Sequence, residues 1–197
     1  MKKKESKKKI QLMETAKELF WKHGFKKVSI EEICQKANVS KMTFYRLFEN
    51  KAALAKELLD RVMAESCAHF REILRQNSSV GEKMRQIVLM KKEGTKEIST
   101  EFLSDLYLNP QPELKDYIAV KMQEVWLSLT SDFRQAQTDG WLRSDFKPEF
   151  LLAISFKMVD LLNDKQICGL YETPQELIME MTNLIAYGIS PRTDNII

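Results

Sequence analysis

Cysteine, histidine, glycine and proline are all scarce in this chain of 197 residues, which holds 3 Cys, 2 His, 6 Gly and 5 Pro. Each shortage removes a class of protein. Cys34, Cys67 and Cys168 are odd in number, far apart and set in apolar helical contexts. They read as reduced core residues of a cytoplasmic protein, not as a disulfide framework. They share no metal-ligand spacing with His23 or His69, and His23 reads as a surface or capping residue near a helix end. The sequence has no HExxH, ExxH, GxxxxGK[ST] or GxGxxG, and its two histidines are distant. No nucleophile with its base, no metal set and no phosphate loop is visible, so the chain is expected not to be an enzyme and to need no cofactor. No apolar run approaches a membrane span, and the Lys-rich start leads into the charged IQLMETAKEL instead of an apolar signal segment. Strand-period alternation, hairpin signals and internal repeats are missing too. All five prolines lie at or beyond Pro110, and with the glycines they divide the chain into helices with short connections.

What is present is an ordinary globular balance, 44% hydrophobic and 30% charged, with a lopsided charge distribution. Up to Arg61 there are 16 Lys and Arg against 8 Asp and Glu; the rest has 15 against 20. A basic N-terminal third on an acidic remainder is expected when one end meets nucleic acid and the other does not. A membrane-surface role would need an apolar face beside the Lys cluster, and none is there. Six of the first nine residues are Lys. Residues 1–9 are expected to be a disordered basic tail, either simply solvated or following the DNA backbone as an arm.

The organising stretch is Ser29 to Lys51, SIEEICQKANVSKMTFYRLFENK. Ser29 followed by Glu32 is a capping box, and Ile30, Ile33, Cys34 and Ala37 recur at helical spacing. Asn38 suits a left-handed helix end, Val39 can plug the space between two helices, and Ser40 can cap the next. The pattern is a helix-turn-helix. At about 100° per residue, Phe44, Leu47 and Phe48 share one side of the second helix, while Lys41, Met42, Tyr45 and Arg46 share the other. The outer set suits phosphates, base edges and thymine methyl groups, and major-groove docking follows as the expectation.

NVSKMTFYRLFENKAAL resembles the recognition-helix region of the tetracycline-repressor (TetR) family of bacterial transcriptional regulators, and AKELFWKHGFKKVSIEEICQKA resembles the family's first two helices. The resemblance covers roughly residues 10 to 60 and rests on Phe44-Tyr45, Phe48 and Lys51 at fixed offsets. It implies that Thr43, Tyr45 and Lys51 meet phosphates and that Lys41, Met42 and Arg46 meet base edges. Ser29 and Ser40, at the two helix starts, complete the candidate DNA contacts. The family often has a small residue where this chain has Met42.

Around that motif an all-α protein of about nine helices is expected. A three-helix DNA-binding domain would occupy residues 10–50, and a helical effector-binding and dimerisation domain 51–197, with the long helix 51–76 joining the two. That helix has an apolar face about 25 residues long, and a tilt of it would move the recognition helix. Further helices are expected from Val80 to about Gly94, Glu97 to Leu108, Glu113 to Asp139, Pro148 to about Gln166 and Pro174 to Tyr187. Phe102, Tyr107, Met122, Trp126, Phe133 and Trp141 could line an effector cavity, although aromatics at helical spacing are more commonly core. The resemblance implies a small-molecule effector that shifts the population away from the operator, and the few buried-looking charges point to an apolar or amphipathic one. Broad apolar faces on the last two helices suggest a homodimeric four-helix bundle, with Leu151, Ile154, Met158, Leu162, Leu177, Met181 and Leu184 as candidates. The expected partners are double-stranded operator DNA with pseudo-palindromic half-sites, a second copy and the effector. The rival reading is a helical adaptor that uses the helix-turn-helix shape for protein contact.

Overall fold

The computed structural model describes residues 6–162 and 164–191. Among these, ten α-helices and one π-helical turn follow in order. They are α1 (Lys7–His23), α2 (Ile30–Lys36), α3 (Lys41–Leu47), α4 (Lys51–Arg75), α5 (Val80–Gly94), α6 (Thr100–Leu103), the π turn Ser104–Leu108, α7 (Pro112–Thr138), α8 (Pro148–Leu161), α9 (Lys165–Cys168) and α10 (Pro174–Ile189). The all-helical expectation holds, with one helix more than anticipated because the eighth ends early. Asp164 accepts hydrogen bonds from the N–H groups of Gln166 (2.8 Å) and Ile167 (3.2 Å) and so starts a new short helix where a continuous one was expected to reach Gln166. A short acidic side chain that bonds nearby backbone competes with helix propagation. The helix expected from Glu97 likewise begins only at Thr100, since Glu97 has a left-handed φ of 58° and Ser99 supplies the cap.

The helices form two compact units. The head unit takes the described residues up to Val62 together with Glu97–Ala119; the second unit takes Met63–Lys96 and the described residues from Val120 onward. This partition differs from a break at residue 50. Leu54, Ala55, Leu58 and Leu59 of α4 are buried, and their apolar faces belong to the head. The segment after Lys96 joins it through Trp21, whose ring stacks on Phe102 at 4.2 Å and whose carbonyl accepts the Ser99 N–H at 2.9 Å.

In the head, α1 buries Leu12, Met13, Ala16 and Phe20. It starts at Lys7 because Ser6 accepts from the Lys9 N–H at 3.3 Å, so Lys7, Lys8 and Lys9 are helical where a disordered tail was expected. Residues 1–5 of that tail lie outside the described residues. Gly24 ends α1 at φ 82°, and Phe25 folds back onto Phe20 with ring centroids 5.2 Å apart. Glycine is needed there twice over, because a Cβ would also come within 2.8 Å of Asp105 Oδ2. Asp105 is buried in the π turn and accepts the Lys26 N–H at 2.8 Å, which fixes the loop leading into α2.

The second unit packs α5 along α10 around Met84, Ala136, Leu142 and Ala186, with Phe133, Trp141, Phe146 and Ile189 closing over them. Lys83 is fully buried in it. Its ammonium donates to the carbonyls of Ile73 (3.1 Å), Leu74 (2.8 Å) and Gln76, and lies 4.0 Å from the centre of the Trp141 ring. Three acceptors at the C-terminal end of α4 and a π face replace the water that the cation has lost.

Candidate nucleic-acid interface

The helix-turn-helix is built as its side-chain chemistry dictates. Ser29 Oγ accepts from the Glu32 N–H at 3.2 Å, while Glu32 Oε2 accepts from the Ser29 N–H at 2.7 Å, so the capping box is closed in both directions. Asn38 takes φ 51°, Val39 is buried, and Ser40 accepts from the Thr43 N–H at 3.2 Å to start α3. On the inner side of α3, Phe44 is completely buried and its ring sits 5.7 Å from that of Phe48. Burying one such phenylalanine stabilises the fold by roughly 2–3 kcal/mol, enough to hold a two-turn helix that would be marginal alone.

The opposite side of α3 is open. Met42 is 84% exposed and Tyr45 55%, with Lys41 and Arg46 exposed beside them. Nothing in the head's own packing requires a methionine there. The Phe44 ring meets the Tyr45 ring edge-on at 5.4 Å, although more than half of the tyrosine stays exposed. Lys41 forms an ion pair with Glu31 across the turn. The hydrogen bond from Lys41 holds the Glu31 carboxyl below its ordinary range, and the same bond raises the lysine.

Two of the expected phosphate contacts are placed differently. Thr43 is buried, and its hydroxyl lies 3.0 Å from Ser40 Oγ, so the two serve the helix start. Lys51 is half-buried. Its ammonium donates to the carbonyls of Phe25 (2.7 Å) and Val28 (2.8 Å) and lies 4.4 Å from the centre of the Phe25 ring. Burial pushes its pKa down. In this structure it fastens the α1–α2 loop instead of reaching outward. Lys9 is tied as well, paired with Glu57 and resting over the Phe48 ring.

Phe102 and Tyr107 belong to the head unit, whereas Met122, Trp126, Phe133 and Trp141 belong to the second. Phe102 stacks on Trp21, Phe133 meets the Phe70 ring at 5.7 Å, and Trp141 covers Lys83; these are core roles. The head unit holds a cavity of about 20 Å³ lined by Phe20, Trp21, Phe25, Leu58, Phe102 and Asp105 among others. That volume suits about one water molecule.

The dimer candidates divide by face. Leu177 and Met181 are buried where α10 packs on α5, Leu151 of α8 is buried within the chain as well, and Ile154, Met158 and Leu162 are partly covered. Leu184 is 64% exposed, and so are two apolar residues that sequence reasoning did not single out, Tyr187 of α10 at 70% and Phe150 of α8 at 64%. Helical spacing from Leu184 to Tyr187 was the available signal; what could not be read was which half of a wide apolar face the subunit would use itself. The pairing of Glu31 with Lys41 was not legible either, because no spacing rule links residues ten apart.

Among the described residues no group of three or more His, Cys, Asp or Glu is placed to hold a metal, and no helix is long and apolar enough to cross a membrane. Residues 12–58 match the family described as bacterial regulatory proteins, tetR family. The HTH-type transcriptional regulator UidR of Escherichia coli (strain K12) is 23% identical over 150 residues, which cover 75% of this chain and 74% of that protein. The uncharacterized HTH-type transcriptional regulator YdgC of Bacillus subtilis (strain 168) is 24% identical over 194 residues, 94% of each. Among solved structures, the fatty acid degradation regulator FadR from Bacillus halodurans superposes with a TM-score of 0.67 at 18% identity, covering 96% of this chain and 100% of that one.

Proposed function

We propose that this chain, which belongs to the tetR family of bacterial regulatory proteins and so to the DNA-binding transcriptional regulators, works as a homodimeric, cytoplasmic repressor released by a small-molecule effector. The observation that carries the reading is α3 itself. One side is buried to hold the helix, and the other leaves Lys41, Met42, Tyr45 and Arg46 exposed side by side. Arg46 and Lys41 supply donors for guanine O6 and N7, Tyr45 a phosphate donor, and Met42 an apolar contact for a thymine methyl. Ser29 and Ser40, at the starts of α2 and α3, sit where helix-end N–H groups can join a phosphate.

The dimer is supported by the exposed Leu184, Tyr187 and Phe150, which leave an apolar surface on α8 and α10 for a second copy to cover. Two recognition helices would then read two half-sites of a pseudo-palindrome. The effector is taken to be apolar or amphipathic, in keeping with the likeness in fold to a regulator named for fatty acid degradation. It would act by binding a DNA-incompetent arrangement more tightly than the competent one.

Selection of bound duplexes from a random-sequence DNA pool, at near-physiological salt, tests the reading. Enrichment of an inverted repeat is the expected result. A folded, ligand-free protein that enriches nothing would overturn it and turn attention to a protein partner for α3.

A further inference from the structure

Glu31 stands in the first turn of α2 and Lys41 is the first residue of α3, and their ion pair joins the two helices across the turn. Both side chains remain more than half exposed. Lys41 belongs to the outward set of α3, so its partner places a carboxylate beside the surface that the reading above turns toward DNA. A carboxylate there is repelled by every phosphate, and phosphate contacts supply a large share of the affinity of DNA-binding surfaces. To the folded head it contributes little: Ser29 and Glu32 already cap α2, a second carboxylate in that turn adds a small dipole contribution, and an exposed ion pair adds little stability.

What suits an ammonium and a carboxylate held side by side is a surface that offers acceptors and a donor side by side. The phosphate backbone offers only acceptors. In the major groove, the G·C pair presents guanine N7 and O6 as adjacent acceptors, followed by the cytosine N4 amino group as donor. In the A·T pair the adenine amino donor lies between two acceptors, so a carboxylate reaching it also meets thymine O4. We infer that Glu31 and Lys41 act as one base-reading unit selective for a G·C pair, with Lys41 donating to guanine N7 and O6 and Glu31 accepting from cytosine N4. This rests on the DNA-binding reading. On docking, the lysine exchanges part of its contact with the carboxylate for guanine, and the amino group of cytosine takes up the acceptor that is freed.

The test uses the full chain and the duplex recovered by random-pool selection, with each base pair swapped in turn at one salt concentration. Wild type is expected to show one symmetric position where G·C to A·T costs about tenfold in affinity. Glu31→Gln, whose amide can accept from cytosine or donate to thymine, is expected to reduce that discrimination to about threefold or less. It should also tighten binding to unrelated duplex, with helix content and melting unchanged. In a Lys41→Ala background the same Glu31 change should leave discrimination where Lys41→Ala alone put it. Full discrimination retained by Glu31→Gln at every position would overturn the inference, as would an equal gain on all sequences, which would make Glu31 a charge and not a reader. Failure of the underlying reading looks different: wild type would then select no sequence at all, and both would fall together.

Discussion

In the head and in the second unit alike, a lysine is held against backbone carbonyls over an aromatic ring, and a set of side chains stands exposed. In the head, Lys51 donates to backbone carbonyls of the α1–α2 loop over the Phe25 ring. In the second unit, Lys83 does the same for the last carbonyls of α4 over the Trp141 ring. The uncovered faces have opposite chemistry. That of α3 carries Lys41, Arg46, Tyr45 and Met42, while that of α8 and α10 carries Phe150, Leu184 and Tyr187. A face that needs charge from its partner and a face that needs apolar area cannot serve the same partner. The difference also teaches that a lysine's charge says little about its work. Lys41, Lys51 and Lys83 look alike in a composition table, yet one is open, one half-buried and one fully buried.

The comparison is broken most severely at the apolar face. Leu184→Glu is expected to weaken self-association by about 2–4 kcal/mol, read by sedimentation equilibrium, with the folded subunit intact because Leu184 is exposed. An unchanged association constant would exclude this face as the dimer contact. Next come the enclosed lysines. Lys83→Met should cost about 1–3 kcal/mol in urea unfolding, since it leaves buried carbonyls without a donor. Lys51→Met should cost less, because water reaches its half-open loop, and equal losses would erase the distinction between the two cages. On the basic face, Arg46→Ala should cost about 1–3 kcal/mol in operator binding and relax the preference at one base pair. A uniform loss over all duplexes would reassign Arg46 to phosphate.

The smallest expected effect concerns pH. Hydrogen bonds from Arg85 and Gln86 hold the Glu82 carboxyl down to about 2 from its ordinary 4.5. A carboxyl depressed in the folded state stabilises above its unfolded value, and that contribution is lost as pH falls from about 4.5 toward 2. Glu82→Gln should therefore flatten acid unfolding slightly in that window; an unaltered profile would show that the pair contributes nothing measurable.

Local chemistry made much of this protein legible in advance. The Ser29–Glu32 box, Asn38 at a positive φ and Ser40 as a cap each need only a few neighbouring residues, and all three take the expected form. Both sides of α3 follow from its 100° periodicity in the same way. Contacts that arrive from elsewhere in the chain were not legible in this way. Lys51 and Thr43 carry the right groups for phosphate, but a loop 23 to 26 residues earlier and a neighbouring serine take up their hydrogen bonds. The candidate pocket residues have the right composition, yet they divide between two units.

The sequence by itself therefore determined the all-helical class, the caps of α2 and α3 and the outward set of α3, because those depend on contacts within one or two turns. Only the tertiary structure decided that Leu177 and Met181 turn inward while Leu184 and Tyr187 stay out, that Lys83 is enclosed, and that Glu31 stands against Lys41. A periodicity defines a face without naming its neighbour, and the free energy of burial or ion pairing depends on that neighbour.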